Sequence, residues 1–268
     1  MNNISKLINS INKELKMVAK SEEKTRKKAL SSVSPFKEKI KEKIPDKINN
    51  TLQISFSKAF GIIFKHGIGI IEKGYDKNNI AADFDIQNYA VNKKGSRKEI
   101  KKLKWSAQKS DLLNMSITTV EGVGLGALGI GLPDIVIFIG MILKGVYEVS
   151  LRYGYDYESS QEKYLILKMM KTALSKGEEW NIFNDEVDTM LSSDFAVSQE
   201  VLQAEIEETA QTFATDMLVL KFIQGLPVIG MIGGMFNPVY YTKIMNYVRL
   251  KYHKRYLLDK LKEHQTLK

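Results

Sequence analysis

Between Ile135 and Tyr153 the sequence reads IVIFIGMILKGVYEVSLRY, a stretch so apolar that a helix built from it must be enclosed by other elements. It opens with Gly131-Leu132-Pro133-Asp134. Proline is favourable at a helix start because its missing N–H would be unpaired there anyway, and Asp134 is placed to complement the N-terminal dipole. The same design returns at Gly225-Leu226-Pro227-Val228-Ile229, where GLPVIGMIGGMF echoes GLPDIVIFIGMI. The two are read as matching helix beginnings packed side by side.

The rest of the chain supports a helical reading. Ile4, Leu7, Ile8, Ile11, Leu15 and Val18 recur at helical spacing within a charged segment over residues 1–31. Serines and Pro35 then break the pattern. Leu52, Phe56, Ala59, Ile63 and Ile70 mark one helical face, softened by Gly61, Gly67 and Gly69. Residues 74–98 read as a short helix between loops. Further helices are expected from Lys98 to Val120, over 158–176 and from Ser198 to Phe222. The acidic EEWNIFNDEVDTMLSSDF is expected at the surface, docked by Trp180 and Phe183. VYYTKIMNYVRLKYHKRYLLDKLK reads as one long, basic, tyrosine-rich helix. No series of alternating strands occurs. The expected fold is all-α, a multi-helix bundle with two glycine-rich helical hairpins. Residues 1–34 form a basic amphipathic helix extension, and 35–268 the main helical domain.

Charge is segregated along the chain. The net is +14 over residues 1–110, −11 over 111–242 and +6 over 243–268. The ends and the middle therefore attract one another, and basic amphipathic helices also suit an anionic membrane surface. Nucleic acid is not expected, because the basic segments lack interleaved stacking aromatics. With no cysteine, disulfides, thiolate metal sites and thiol nucleophiles are excluded, and the three scattered histidines argue against a histidine metal centre. No cofactor is expected. The N-terminus lacks the unbroken apolar region and the cleavage site of a signal peptide, so the expected location is the cytoplasm.

VEGVGLGALGIGLPD, residues 120–134, contains the spacing G-x-G-x-x-G at Gly124, Gly126 and Gly129. A dinucleotide site needs a strand before these glycines and an unbroken helix after them. Here SDLLNMSITT reads as a helix end, and Pro133 falls where the phosphate-binding helix should run. Two carboxylates, Glu121 and Asp134, bound the stretch. They are candidates for an acid–base or cation-holding pair, or for helix caps. Neither apolar stretch is a clean membrane span: Pro133 and Asp134 interrupt one, and Lys221, Gln224 and Pro227 the other. Gly122-xxx-Gly126 and Gly230-xxx-Gly234 permit close helix approach in a core or in a bilayer.

The ordered set KIPDK (43–47), TTVEGVGLGALGIGLPDI (118–135), RYGYD (152–156), LPVIGMIGGMFNPVYY (226–241) and KRYL (254–257) resembles the EcsC family over roughly Pro35 to Leu258. The matching positions are Glu121, Gly122, Gly126, Leu132, Pro133 and Asp134, then Tyr153, Gly154 and Asp156, then Pro227, Gly230, Gly234, Asn237 and Tyr241. The resemblance implies a cytoplasmic, predominantly helical bacterial protein and points to an ABC transporter as a partner. It implies no catalytic residues. The expected function is therefore peripheral membrane association through the apolar hairpins, with Lys6, Lys13, Lys16, Lys20, Arg249, Lys254 and Arg255 meeting lipid headgroups. The alternative is an enzyme using Glu121 and Asp134 on a lipid or membrane-protein substrate.

Overall fold

A computed structural model describes residues 3–32, 39–40, 42–72, 74–108, 133–223 and 238–265. Every regular element among them is helical: α1 (Asn3–Ser31), α2 (Asp46–Ile62), α3 (Ile68–Glu72), α4 (Lys77–Lys94), α5 (Arg97–Gln108), α6 (Pro133–Arg152), α7 (Ser160–Leu174), α8 (Gly177–Ser192), α9 (Gln199–Ile223) and α10 (Pro238–Gln265). A π-helical turn, Ile63–Gly67, joins α2 to α3, where the glycines soften the helix. The two glycine-rich hairpins, residues 120–134 and 225–237, lie outside the described residues apart from Pro133 and Asp134, which start α6.

Helix ends follow local chemistry. Asp76 caps α4, its carboxylate accepting the Asn79 N–H at 2.9 Å, and Gly95 ends that helix at φ +57°. Ser159 caps α7 through the Glu162 N–H at 3.1 Å. Pro45 precedes α2 in extended conformation, which converts KIPDK into a helix start.

The apolar α6 is enclosed as its composition requires. Ile139, Ile142, Leu143, Val146 and Val149 are fully buried, and α2, α4, α5 and α10 pack around the helix. Phe56 and Phe60 of α2 and Phe138 of α6 converge on Phe213 of α9, with ring centroids 5.5, 5.7 and 6.4 Å away. The approach of α10 to α6 is tight at Gly145: a Cβ added there would lie 2.5 Å from the Tyr241 hydroxyl and 3.2 Å from the Met245 sulfur. The expected face of α2 is present, with Leu52, Phe56, Ala59 and Ile63 all buried.

The helix over residues 3–31 is part of this core. Leu7, Ile11 and Val18 are buried, and α1 packs on α10, α8, α5 and α4. Among the described residues no helix is long and apolar enough to cross a membrane.

Candidate functional site

The turn after α6 holds three alternate tyrosines, each fixed differently. Tyr153 is buried among Tyr252, Tyr256 and His253, with centroids 5.9 to 6.5 Å apart. Tyr155 donates to Asp259 at 2.7 Å and lies under the Arg255 guanidinium, 4.0 Å from its ring centre. Tyr157 donates to Glu72 at 2.5 Å, meets the Tyr75 hydroxyl at 2.6 Å and stacks on Tyr147 at 4.1 Å. Burial pushes all three hydroxyls well above the ordinary tyrosine range, so Tyr155 and Tyr157 serve as packed hydrogen-bond donors. Gly154 permits the turn at φ +80° with its Cα against the Phe84 ring. Asp156 is exposed and accepts the Glu158 N–H at 3.1 Å.

The C-terminal helix spends much of its charge inside the protein. Lys251, fully buried, lies 2.6 Å from both Glu22 of α1 and Asp188 of α8. Lys254 meets the same two acids at 3.0 and 2.9 Å. Arg255 pairs with Glu162 at 2.7 Å, and Tyr252 donates to that carboxylate at 2.6 Å. The acidic middle and the basic end thus attract one another in the folded core. Lys254 and Arg255 do not form the outward row expected of them, because their charges are held by Glu22, Asp188 and Glu162.

Two features remain open to partners. One is a basic surface on the neighbouring helices α1 and α5, which Arg97 of α5 ties together by pairing with buried Glu14. Lys6, Lys13, Lys16 and Lys20 are exposed on α1. On α5, Lys98, Lys101, Lys102 and Trp105 are exposed, with Trp105 at 59%. Their i, i+3, i+4, i+7 spacing opposes the buried Glu99, Ile100 and Leu103. The sequence places a helix from Lys98, and this spacing in KEIKKLKW is the signal that marks its exposed basic face.

The other feature is a cavity of about 360 Å³ between α1, α5 and α10. Lys24, Lys104 and Arg249 bring positive charge to it, Ser21, Thr25 and Asn246 bring neutral polar groups, and Tyr153 and Leu250 form an apolar wall. Among the described residues no carboxylate lines it. A more apolar groove of about 690 Å³ shares Lys24, Thr25 and Asn246 with this cavity and runs past Ala29, Ala173, Trp180 and Tyr247. Behind Tyr153 sits His253, fully buried, with Nε2 3.9 Å from Glu14. That is beyond hydrogen-bond length. The imidazole and the Arg97 guanidinium beside Glu14 hold its carboxyl low, at about 2, against the effect of its burial, and burial pushes His253 down.

Of the residues singled out in the sequence, Tyr153 and Arg249 meet at the cavity. Tyr241 packs on Gly145, and Gly154 and Asp156 shape a turn rather than a groove. Glu121, Gly122, Gly126, Leu132, Pro227, Gly230, Gly234 and Asn237 lie outside the described residues. So do the side chains of Pro133 and Asp134, and the acid–base pair has no geometry here. His253, Lys24 and Lys104 carried no local signal, since only the packing of α1, α5 and α10 brings them together.

A sequence comparison with curated proteins matches Protein EcsC of Bacillus subtilis (strain 168), 24% identical over 156 residues, which is 57% of this chain and 63% of that relative. The aligned part falls short of two thirds of the relative's length. No solved structure matches the chain. A profile of the EcsC protein family matches residues 9–257, starting inside α1 rather than at Pro35. The fold, the ordered motifs and a family match over nearly the whole chain make one conclusion: this chain belongs to the EcsC protein family.

Proposed function

We propose that the protein binds the anionic surface of a membrane peripherally, at the cytoplasmic face, through the basic surface of α1 and α5. The observation that carries this reading is the exposed Trp105 among Lys98, Lys101 and Lys102, beside the exposed lysines of α1. Tryptophan settles at the headgroup level because its ring is apolar and its N–H is polar. Each lysine near an anionic surface adds about 1 kcal/mol, so four or five in contact supply on the order of 5 kcal/mol. The glycine-rich stretches at 120–134 and 225–237 are proposed to supply the apolar part of the contact. A membrane-embedded transporter, the partner that the family resemblance implies, would be met from the same side.

Sedimentation with vesicles tests this. Binding is expected to phosphatidylcholine vesicles containing phosphatidylglycerol and not to phosphatidylcholine alone, and it should weaken as salt rises. Lys98→Glu with Lys101→Glu should abolish it, and Trp105→Ala should weaken it several-fold. Equal binding to both vesicle types, or none to either, refutes the reading.

A further inference from the structure

We infer that the cavity between α1, α5 and α10 is a binding site for the phosphate headgroup of a single lipid molecule, whose hydrocarbon chain lies in the adjoining groove. The choice of a lipid over other phosphate-bearing molecules rests on the membrane-surface reading above. The cavity geometry does not.

The lining selects the charge of the ligand. Lys24, Lys104 and Arg249 converge on the cavity from three different helices, and among the described residues no acidic side chain lines it. Elsewhere in the fold, the buried lysines of α7 and α10 each lie within 3 Å of a carboxylate. Lys24 and Lys104 have no carboxylate within ion-pair distance among the described residues. Two such lysines on one cavity repel, and a bound anion relieves that repulsion. Ser21, Thr25 and Asn246 add neutral donors of the kind that satisfy phosphate oxygens.

The shape selects what is attached to the phosphate. Lys24, Thr25 and Asn246 border both the cavity and the groove, so the two are one continuous depression. Past that border the lining changes to Ala29, Ala173, Trp180 and Tyr247. Of the lysines along the groove, Lys28 is exposed to solvent, Lys176 pairs with Asp216, and Lys243 donates to the Leu174 carbonyl at 3.3 Å. A ligand anionic at one end and apolar along the other matches this order of side chains. A phospholipid monomer has that chemistry, and free phosphate matches only the first half.

Isothermal titration calorimetry on the full chain distinguishes the sources. The probes are dihexanoyl phosphatidic acid below its micelle threshold, dihexanoyl phosphatidylcholine and inorganic phosphate. Phosphatidic acid should bind about tenfold or more tighter than inorganic phosphate, since buried methylenes add to the phosphate contacts, and phosphatidylcholine should not bind. Lys24→Gln and Lys104→Gln should each weaken phosphatidic acid about tenfold, the loss of one charge-assisted hydrogen bond. Ala29→Trp, which fills the groove, should bring phosphatidic acid down to the affinity of inorganic phosphate. Lys24 is exposed, so its variant keeps the fold, and circular dichroism checks each protein. Equal affinity for the acid and for phosphatidylcholine, equal affinity for the acid and for inorganic phosphate, or unchanged affinity in both lysine variants overturns the proposal. The α5 variants Lys98→Glu and Lys101→Glu separate the two readings: they should lose vesicles and keep the soluble lipid.

Discussion

Gly154→Ala isolates what the turn after α6 demands. At φ +80° an L-residue is strained by about 1–2 kcal/mol. A Cβ there would also stand 3.0 Å from Phe84 Cδ1 and closer still to Cε1 and Cζ. The half-buried ring is packed edge-on against Tyr256, with centroids 6.3 Å apart, so its retreat would disturb that contact. Overpacking of this kind costs about 1–3 kcal/mol, so the substitution should destabilise the protein by roughly 3 kcal/mol in all. Urea unfolding followed by circular dichroism measures it. For a chain of this size each kcal/mol lowers the thermal midpoint by about 2–4 °C, which puts the drop near 10 °C. Phe84→Leu supplies the control, because a smaller side chain removes the clash and leaves the backbone strain. The double variant should recover about 1–2 kcal/mol relative to the sum of the single ones. A loss under about 1 kcal/mol for Gly154→Ala, or strict additivity with Phe84→Leu, would refute the account of this turn.

Two further outcomes follow from the buried charges. Lys251→Met leaves Glu22 and Asp188 with Lys254 as their remaining cation, and should cost about 3 kcal/mol in urea unfolding, at the lower end for a broken buried pair; a cost below about 1 kcal/mol would show the contacts to be incidental. Glu14, held at about 2 by His253 and Arg97, stabilises the fold fully above its unfolded value of 4.5 and loses that contribution as pH falls toward 2. The amount is on the order of 3 kcal/mol. His253, kept low by burial, acts in the same direction from about its unfolded value of 6.5 downward. Urea midpoints should therefore fall below pH 6 in the wild type and more shallowly below pH 4.5 in Glu14→Gln; parallel curves would exclude Glu14 as a source.

Much of this architecture is legible from side-chain periodicity. The composition of α6 dictated its enclosure, and Leu52, Phe56, Ala59 and Ile63 announced the buried face of α2. Charge is different, because a lysine's surroundings are decided by acids far away in the chain. Lys254 and Arg255 look like surface cations until Glu22, Asp188 and Glu162 are brought beside them. The basic cavity was illegible for the same reason, since Lys24, Lys104 and Arg249 belong to helices that meet only in the folded state. The first thirty residues read as an appendage because their charge density hides how few apolar positions, Leu7, Ile11 and Val18, suffice to anchor a helix.

The anchoring of α1 also has a consequence in time. Glu22 and its buried partner Lys251 are 229 residues apart, so α1 leaves the ribosome long before α10 exists. At 5–20 residues per second the wait is roughly 10–50 seconds. Until α4, α5 and α8 follow, the strip Leu7, Ile11 and Val18 is uncovered on a lysine-rich helix, a combination with intrinsic affinity for an anionic bilayer, and α10 completes its cover last. On the proposed membrane-surface reading, the nascent chain would meet the membrane before it has finished folding, and the synthesis of α10 would complete the docking of α1 in the bundle.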